Sequence, residues 1–464
     1  MNSNSSQSEH RSINPEVPLL LTFCTISALL IYLVSVQNFV FGSDAGNWTY
    51  PYFKTIAAIP RWLPVLALTS LALLIYLGSR LIKSYEIATV VCSLVAVFLL
   101  QSLIRTAYPI SMGNIIESDV SNSFYSPALA YSPSQILGQY TDLAQSLPLH
   151  ARSNMPGKIL FFQLFLPFTS TPLAIAYLII MVSTSGALLL YAICKLLFHD
   201  TTVAYYALIL YALIPARLFF VPILNTVTPV LILLSLWLFL LYLEKQRLIL
   251  LWLLGGSLYF LLLFEPSPLV TGILFLAILL PAISQRKISR KNLLALFIVP
   301  VFAILGLHLL FIAIFSFNLL QAFRYVLSDA VNFNLTDRRD YRIWLAQNPK
   351  EFFYAVGLPI AMLFIYQMFE MLSQGKRLSL QLTRWSLEYL YLLGLLLTFL
   401  IVLFLGINRG EATRLWIYLA VLFQVPAAFY LAHAHHSRAL FYCVAAVLVF
   451  QSIITLQRVG FVLP

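Results

Sequence analysis

Charge is the scarcest feature of this 464-residue chain. Asp, Glu, Lys and Arg together make up 10% of it, against about 25% in an ordinary soluble domain. With 61% of residues hydrophobic, that scarcity excludes a soluble globular fold. Cysteine is scarce too. Cys24, Cys92, Cys194 and Cys443 all fall inside apolar runs, with no pairing or metal-ligand spacing, which argues against a disulfide framework or a zinc site. The ~10-residue alternating segments of a membrane β-barrel are missing. So are a fixed-period repeat and the paired broken helices common in transporters. What the chain has instead is many apolar stretches of about 20 residues, each long enough to span a bilayer. The expected fold class is an all-α polytopic transmembrane bundle of about thirteen spans, with interfacial helices in its outer loops.

The net charge of +11 would suggest a nucleic-acid partner in a soluble protein. Here the basic residues cluster in short turns, EKQR, QRKISRKN, SQGKRLSLQLTR and HHSR, and these read as cytoplasmic by the positive-inside rule. Membrane lipid is the expected surrounding, and nucleic acid is not an expected partner. Residues 1–16 read as a cytoplasmic tail. A membrane module follows over 17–317, with outer loops at 42–61 and 107–170. A second long outer loop covers 318–352, and C-terminal spans fill 353–464. The first apolar run is too long for a signal peptide and lacks a cleavage site, so it reads as a retained span. The expected location is the plasma (inner) membrane, with the N-terminus inside.

The stretch from 107 to 157 is the main polar anomaly. A chain this apolar has little reason to carry so long a mixed polar loop unless the loop does work. It holds Glu117 and Asp119, and ends in LPLHARSNMPGK, where a Pro-Gly turn opens an apolar helix too short to cross. Exposed N–H groups at such a helix start suit an anion. His150, Arg152 and Lys158 would add charge there; the alternative is an ordinary helix start with a snorkelling lysine. Asp44, just past the first span, either caps a short helix or serves as an interfacial general base. Glu117 and Asp119 are either solvated loop acids or partners of Asp44 in placing an acceptor or a metal. Glu265 either caps a Pro-rich hairpin or is a functional acid close to hydrocarbon. The alternating DRRDYR around Arg339 reads as a mutually paired, solvated segment. Arg409, Glu411 and Arg414 open a late span, where arginine either anchors the interface or grips a lipid phosphate.

This layout resembles the GT-C superfamily of polytopic glycosyltransferases, in particular family 39- and 83-like members that use polyprenyl-phosphate sugars. The resemblance rests on Asp44 in the first outer loop, the long 107–157 loop, and the His150–Lys158 clause opening an interfacial helix. The family's His-Pro-Pro-Gly reads Asn154-Met155-Pro156-Gly157 here, and the acid it often carries in a later hairpin is Asn225. The resemblance implies an inverting transfer of sugar from a polyprenyl phosphate to a hydroxyl acceptor (glycan, lipid or protein) on the outer face. In that scheme Asp44 is the base, Glu117 or Asp119 serves the acceptor, and His150, Arg152, Lys158, Arg409 and Arg414 surround the donor phosphate. The one cofactor it would accommodate is a divalent metal, Mg or Mn, at Asp44 and Asp119. An O-antigen-type polymerase or ligase, and a non-enzymatic lipid or glycan transporter, are the competing readings.

Overall fold

The computed structural model describes residues 16–54, 59–375, 386–434 and 437–464. Most of the tail expected over 1–16, much of SQGKRLSLQLTR and part of HHSR therefore lie outside the described residues. The described chain is helical throughout, apart from one hairpin in which Gly42–Ser43 pairs antiparallel with Trp48–Thr49. Among the described residues nine helices are long and apolar enough to cross a membrane, or ten if the bent pair Tyr341–Val356 and Leu358–Ser373 forms one span. Shorter apolar helices run over Thr22–Ser35, Leu248–Phe264 and Ile417–His433.

Several stretches that read as continuous spans are broken, and each break has a local cause. The 201–221 run is divided into helices Thr201–Ala212 and Pro215–Phe220. Pro215 has no N–H to continue the ladder and its ring crowds the turn before it. The fully buried Arg217 repairs the gap: its guanidinium donates to the Tyr211 carbonyl at 2.7 Å, to Ser183 Oγ at 2.8 Å and to Gln101 Oε1 at 3.3 Å. The chain turns by 110° between Val356 and Leu358, where Gly357 has φ +109°, a conformation that side-chain-bearing residues rarely adopt.

The polar 107–157 stretch is not an open loop. Short helices Met112–Glu117, Tyr125–Ala130, Pro133–Gly138, Tyr140–Leu143 and Leu149–Arg152 fill most of it. Serines start two of these: Ser111 Oγ accepts from the Asn114 N–H, and Ser132 with Gln135 closes a capping box, which satisfies N–H groups left free at a helix start. The segment also has its own apolar core, in which Ile116, Phe124, Ile136 and Leu147 pack with Ile159 and Phe162. The 318–352 stretch is likewise structured, as helices Leu319–Thr336 and Tyr341–Val356. Leu319, Ala322 and Val326 are buried, at the three- and four-residue spacing that places them on one face.

A strap near the C-terminus fixes the first loop. The Phe53 N–H donates to the Arg458 carbonyl at 2.9 Å, and the Gly460 N–H to the Pro51 carbonyl at 2.8 Å. The Phe461 ring stacks 4.7 Å from Phe219 and lies 5.2 Å from Phe41. Tyr108 closes the strap from the other side, its hydroxyl donating to the Val462 carbonyl at 2.7 Å.

Candidate functional site

The turn Asn154-Met155-Pro156-Gly157 delivers the helix Gly157–Gln163 against the end of Leu248–Phe264. A Cβ built on Gly157 would lie 2.5 Å from the Leu263 carbonyl oxygen and 2.9 Å from Phe264 Cα. The contact is with backbone, which cannot swing aside. Gly157→Ala is therefore expected to lower stability by roughly 1–3 kcal/mol, seen as an earlier thermal transition in detergent.

That close approach brings Lys158 to Glu265. Lys158 is 1% exposed and Glu265 7%; Nζ stands 3.0 Å from Glu265 Oε2 and donates to Asn154 Oδ1 at 2.8 Å. The carboxylate also accepts from Thr228 Oγ1 at 2.6 Å, Ser267 Oγ at 3.1 Å and Asn225 Nδ2 at 3.5 Å. Burial pushes the Lys158 pKa down, while the carboxylate pulls it back up. A buried charge persists only when it is paired and hydrogen-bonded, and this network supplies both. Lys158, expected at a phosphate, is thus engaged by Glu265, and Asn225 joins the same network.

A second cluster forms at Gly406–Leu415. Glu411, at φ +59°, holds Arg414 in an ion pair and lies 3.8 Å from Arg339 Nη1. Arg339 is buried, not part of a solvated paired segment. It donates to the Arg409 carbonyl at 2.7 Å, while Arg409 donates back to the Arg339 carbonyl at 2.8 Å. Asn348 ties down the turn, donating to the Asn408 carbonyl at 2.8 Å and accepting from the Gly410 N–H at 3.2 Å. Arg409 reaches the Gly406 carbonyl and the face of Tyr341. Among the described residues, no carboxylate lies within ion-pair distance of it.

These clusters face one cavity of about 380 Å³, with His150, Asn154, Glu265, Arg409, Glu411 and Arg414 in its lining. Leu269, Val270, Phe323, Val326, Leu327 and Phe333 share the lining, and the Phe333 ring lies 4.7 Å from the Arg339 guanidinium. The cavity is therefore lined by basic, acidic and apolar groups together.

Asp44, Glu117, Asp119, Arg152, Lys158 and Asn225 are not in that lining. Arg152 stands next to it, 3.7 Å from Asp329 on the Leu319–Thr336 helix. Asp44 is exposed at the tip of the first-loop hairpin, and the cap expected of it is supplied by Ser43. The hairpin docks on the cavity's rim: Trp344 Nε1 donates to the Gly46 carbonyl at 3.2 Å, Asn47 Nδ2 to the Arg338 carbonyl at 3.1 Å, and Arg339 lies 5.0 Å from the Trp48 ring. Glu117 and Asp119 are exposed on a different segment, where the Asp119 carboxylate accepts from Ser126 Oγ.

No protein-family model matches the chain, and no curated protein matches it. The site therefore has to be interpreted from its own geometry.

For a metal that geometry is unfavourable. Among the described residues no three His, Cys, Asp or Glu side chains gather where they could hold an ion. Asp119 is already engaged within its own segment, so the Asp44–Asp119 pairing does not fit a resident Mg or Mn. Sequence reasoning missed the burial of Arg339 and the part played by Asn348. It also passed over Glu351, fully buried in Tyr341–Val356, which accepts from Thr413 Oγ1 at 3.3 Å. The one available signal was a carboxylate set between Lys350 and two phenylalanines, and charge beside aromatics is too common to single out.

Proposed function

We propose that the chain is a membrane glycosyltransferase of the GT-C type, moving a sugar from a polyprenyl-phosphate donor to a hydroxyl acceptor with inversion at the anomeric carbon. The observation that carries this reading is a cavity lined by both charged and apolar side chains, in which Arg409 has, among the described residues, no carboxylate within ion-pair distance. A lipid phosphodiester offers matching chemistry, one negative charge joined to a hydrocarbon chain. Arginine meets phosphate oxygens with parallel N–H donors, and Arg414, already paired with Glu411, lines the same cavity. In the reaction the acceptor oxygen attacks the anomeric carbon and its proton passes to the Asp44 carboxylate. The bond from that carbon to the phosphate oxygen breaks, and the lipid phosphate leaves against Arg409. Asp44 suits the role because its hairpin rests on Trp344 and Arg339 at the cavity's edge. In this reading the cavity opens on the outer face of the membrane.

The test is to incubate purified protein with a panel of polyprenyl-phosphate sugars together with glycan, lipid and protein hydroxyl acceptors and follow release of polyprenyl phosphate. Release from at least one donor, abolished by Arg409→Ala, is the expected result. A folded protein that releases nothing from any donor would rule the reading out.

A further inference from the structure

The lining of the cavity is unevenly exposed. Its charged members, Glu265, Arg339, Arg409, Glu411 and Arg414, are buried or half-buried. Those that reach the surface are Leu149, Leu269, Leu327 and Ile407, all aliphatic. The mouth is therefore apolar, and the charge lies behind it. Leu327 also belongs to an exposed apolar stripe on the helix Leu319–Thr336, with Leu320, Val331 and Leu335. That helix begins just after the span Arg290–Phe315 ends, and an exposed apolar stripe so close to the end of a span suits the membrane surface. A phosphate that crosses an apolar rim sheds water before it meets an arginine, which is costly unless the rim parts. Leu149 and Leu327 stand on two elements joined by one acid. Asp329 accepts from Ser153 Oγ at 2.6 Å and lies 3.7 Å from Arg152 Nε, the last residue of the helix Leu149–Arg152. Leu319, Ala322 and Val326 seat the first part of the longer helix in an apolar core with Leu137 and Tyr140, and Asn334 fastens its far end to the Ile407 carbonyl at 2.7 Å. Between Val326 and Asn334, among the described residues, the hydrogen bonds and ion pairs that leave the helix are those of Asp329. Asp329 itself does not line the cavity.

We propose that a lipid ligand enters sideways from the bilayer through this mouth, and that Asp329 is the latch that releases to let a phosphate head group pass. The proposal rests on the lipid-phosphate reading above for the class of ligand. Its test follows polyprenyl phosphate without sugar, tagged at the far end of its tail, as it binds the full-length protein in mixed lipid–detergent micelles by stopped flow. Asp329→Ala should raise the association and dissociation rates together, each about tenfold, the worth in rate of one charge-assisted hydrogen bond. Kd should stay within about twofold, because a contact equally strong around the free and the occupied cavity favours neither. Arg152→Met loosens the latch from the other side and should act in the same direction by a smaller factor; it carries the test if Asp329→Ala does not fold. A merely structural contact would lower the thermal transition without moving the two rates in step. Unchanged rates, or a change in one rate alone, overturns the latch. For the route, nanodiscs whose phospholipids carry a diazirine should on irradiation label residues 325–338, the segment that holds Leu327, Val331 and Leu335. No label there overturns entry from the bilayer. Each of these failures leaves the lipid-phosphate reading intact, whereas wild-type protein that fails to bind polyprenyl phosphate overturns both.

Discussion

Asp44→Asn is expected to lower the turnover of a polyprenyl-phosphate sugar by about 10²–10⁴-fold, the usual worth of a positioned general base. The substitution changes one carboxylate oxygen to an amide nitrogen and removes the group that takes the acceptor's proton in the proposed step. It should do so without disturbing the fold. Asp44 is exposed, and among the described residues its carboxylate makes no ion pair. The hairpin is held by other groups: Ser43 Oγ on the Gly46 N–H, Trp344 on the Gly46 carbonyl and Asn47 on the Arg338 carbonyl. Donor binding and thermal stability should therefore match wild type. Turnover that also matches wild type would remove Asp44 as the base. The parallel Glu117→Gln and Asp119→Asn variants act as controls, since both residues are exposed on a different segment from the hairpin that rests on Trp344 and Arg339.

The second large effect concerns stability. Lys158→Met leaves the Glu265 carboxylate buried with, among the described residues, no other cation within ion-pair distance, and breaking one side of a buried pair destabilises by about 3–5 kcal/mol. Glu265→Gln leaves the ammonium in the same position from the other side. In the double variant both charges are gone, and the amide oxygen introduced by Glu265→Gln can still accept from Thr228, so most of the loss should be recovered. Thermal unfolding of the four proteins in one detergent closes the cycle, and the coupling between the two sites gives the pair's own contribution. Additive losses would mean that the pair, despite its 3.0 Å separation, is not held together in the membrane-embedded protein.

Much of this molecule was legible from the shortage of charge, because a helix surrounded by hydrocarbon announces itself by composition alone. The Pro156-Gly157 turn could also be read directly, and Glu265 stood out as an acid close to hydrocarbon, open between a hairpin cap and a functional acid. The partner of Glu265 could not be read. Lys158 is far away in the chain, and only the close packing permitted by a glycine brings the two together. Helix breaks escaped for a different reason. Hydropathy averages over a window, so it runs smoothly across Pro215 and Gly357, where single residues change the backbone's direction. Arg339 escaped because DRRDYR lies at the junction of two helices, where neither helical nor strand periodicity says which arginine points inward. Asp44 was found by its position after the first span, but its separation from the cavity lining needed the structure.

The strap at residues 458–462 bears on the order in which the site can come into being. A chain that has been synthesised as far as residue 434 already contains every side chain lining the cavity and the proposed base on its hairpin. It does not yet contain the carbonyl of Arg458, the amide of Gly460 or the ring of Phe461, on which residues 51–53 and Phe41 rest. Early segments ordinarily fold first as a chain emerges. Here residues 51–53 gain their partners only once residues 458–460 have been made, whereas the hairpin that carries Asp44 already has its contacts with Trp344 and Arg338. The two parts of the first loop are therefore secured at different times, its hairpin by the 338–344 segment and its 51–53 arm by the strap.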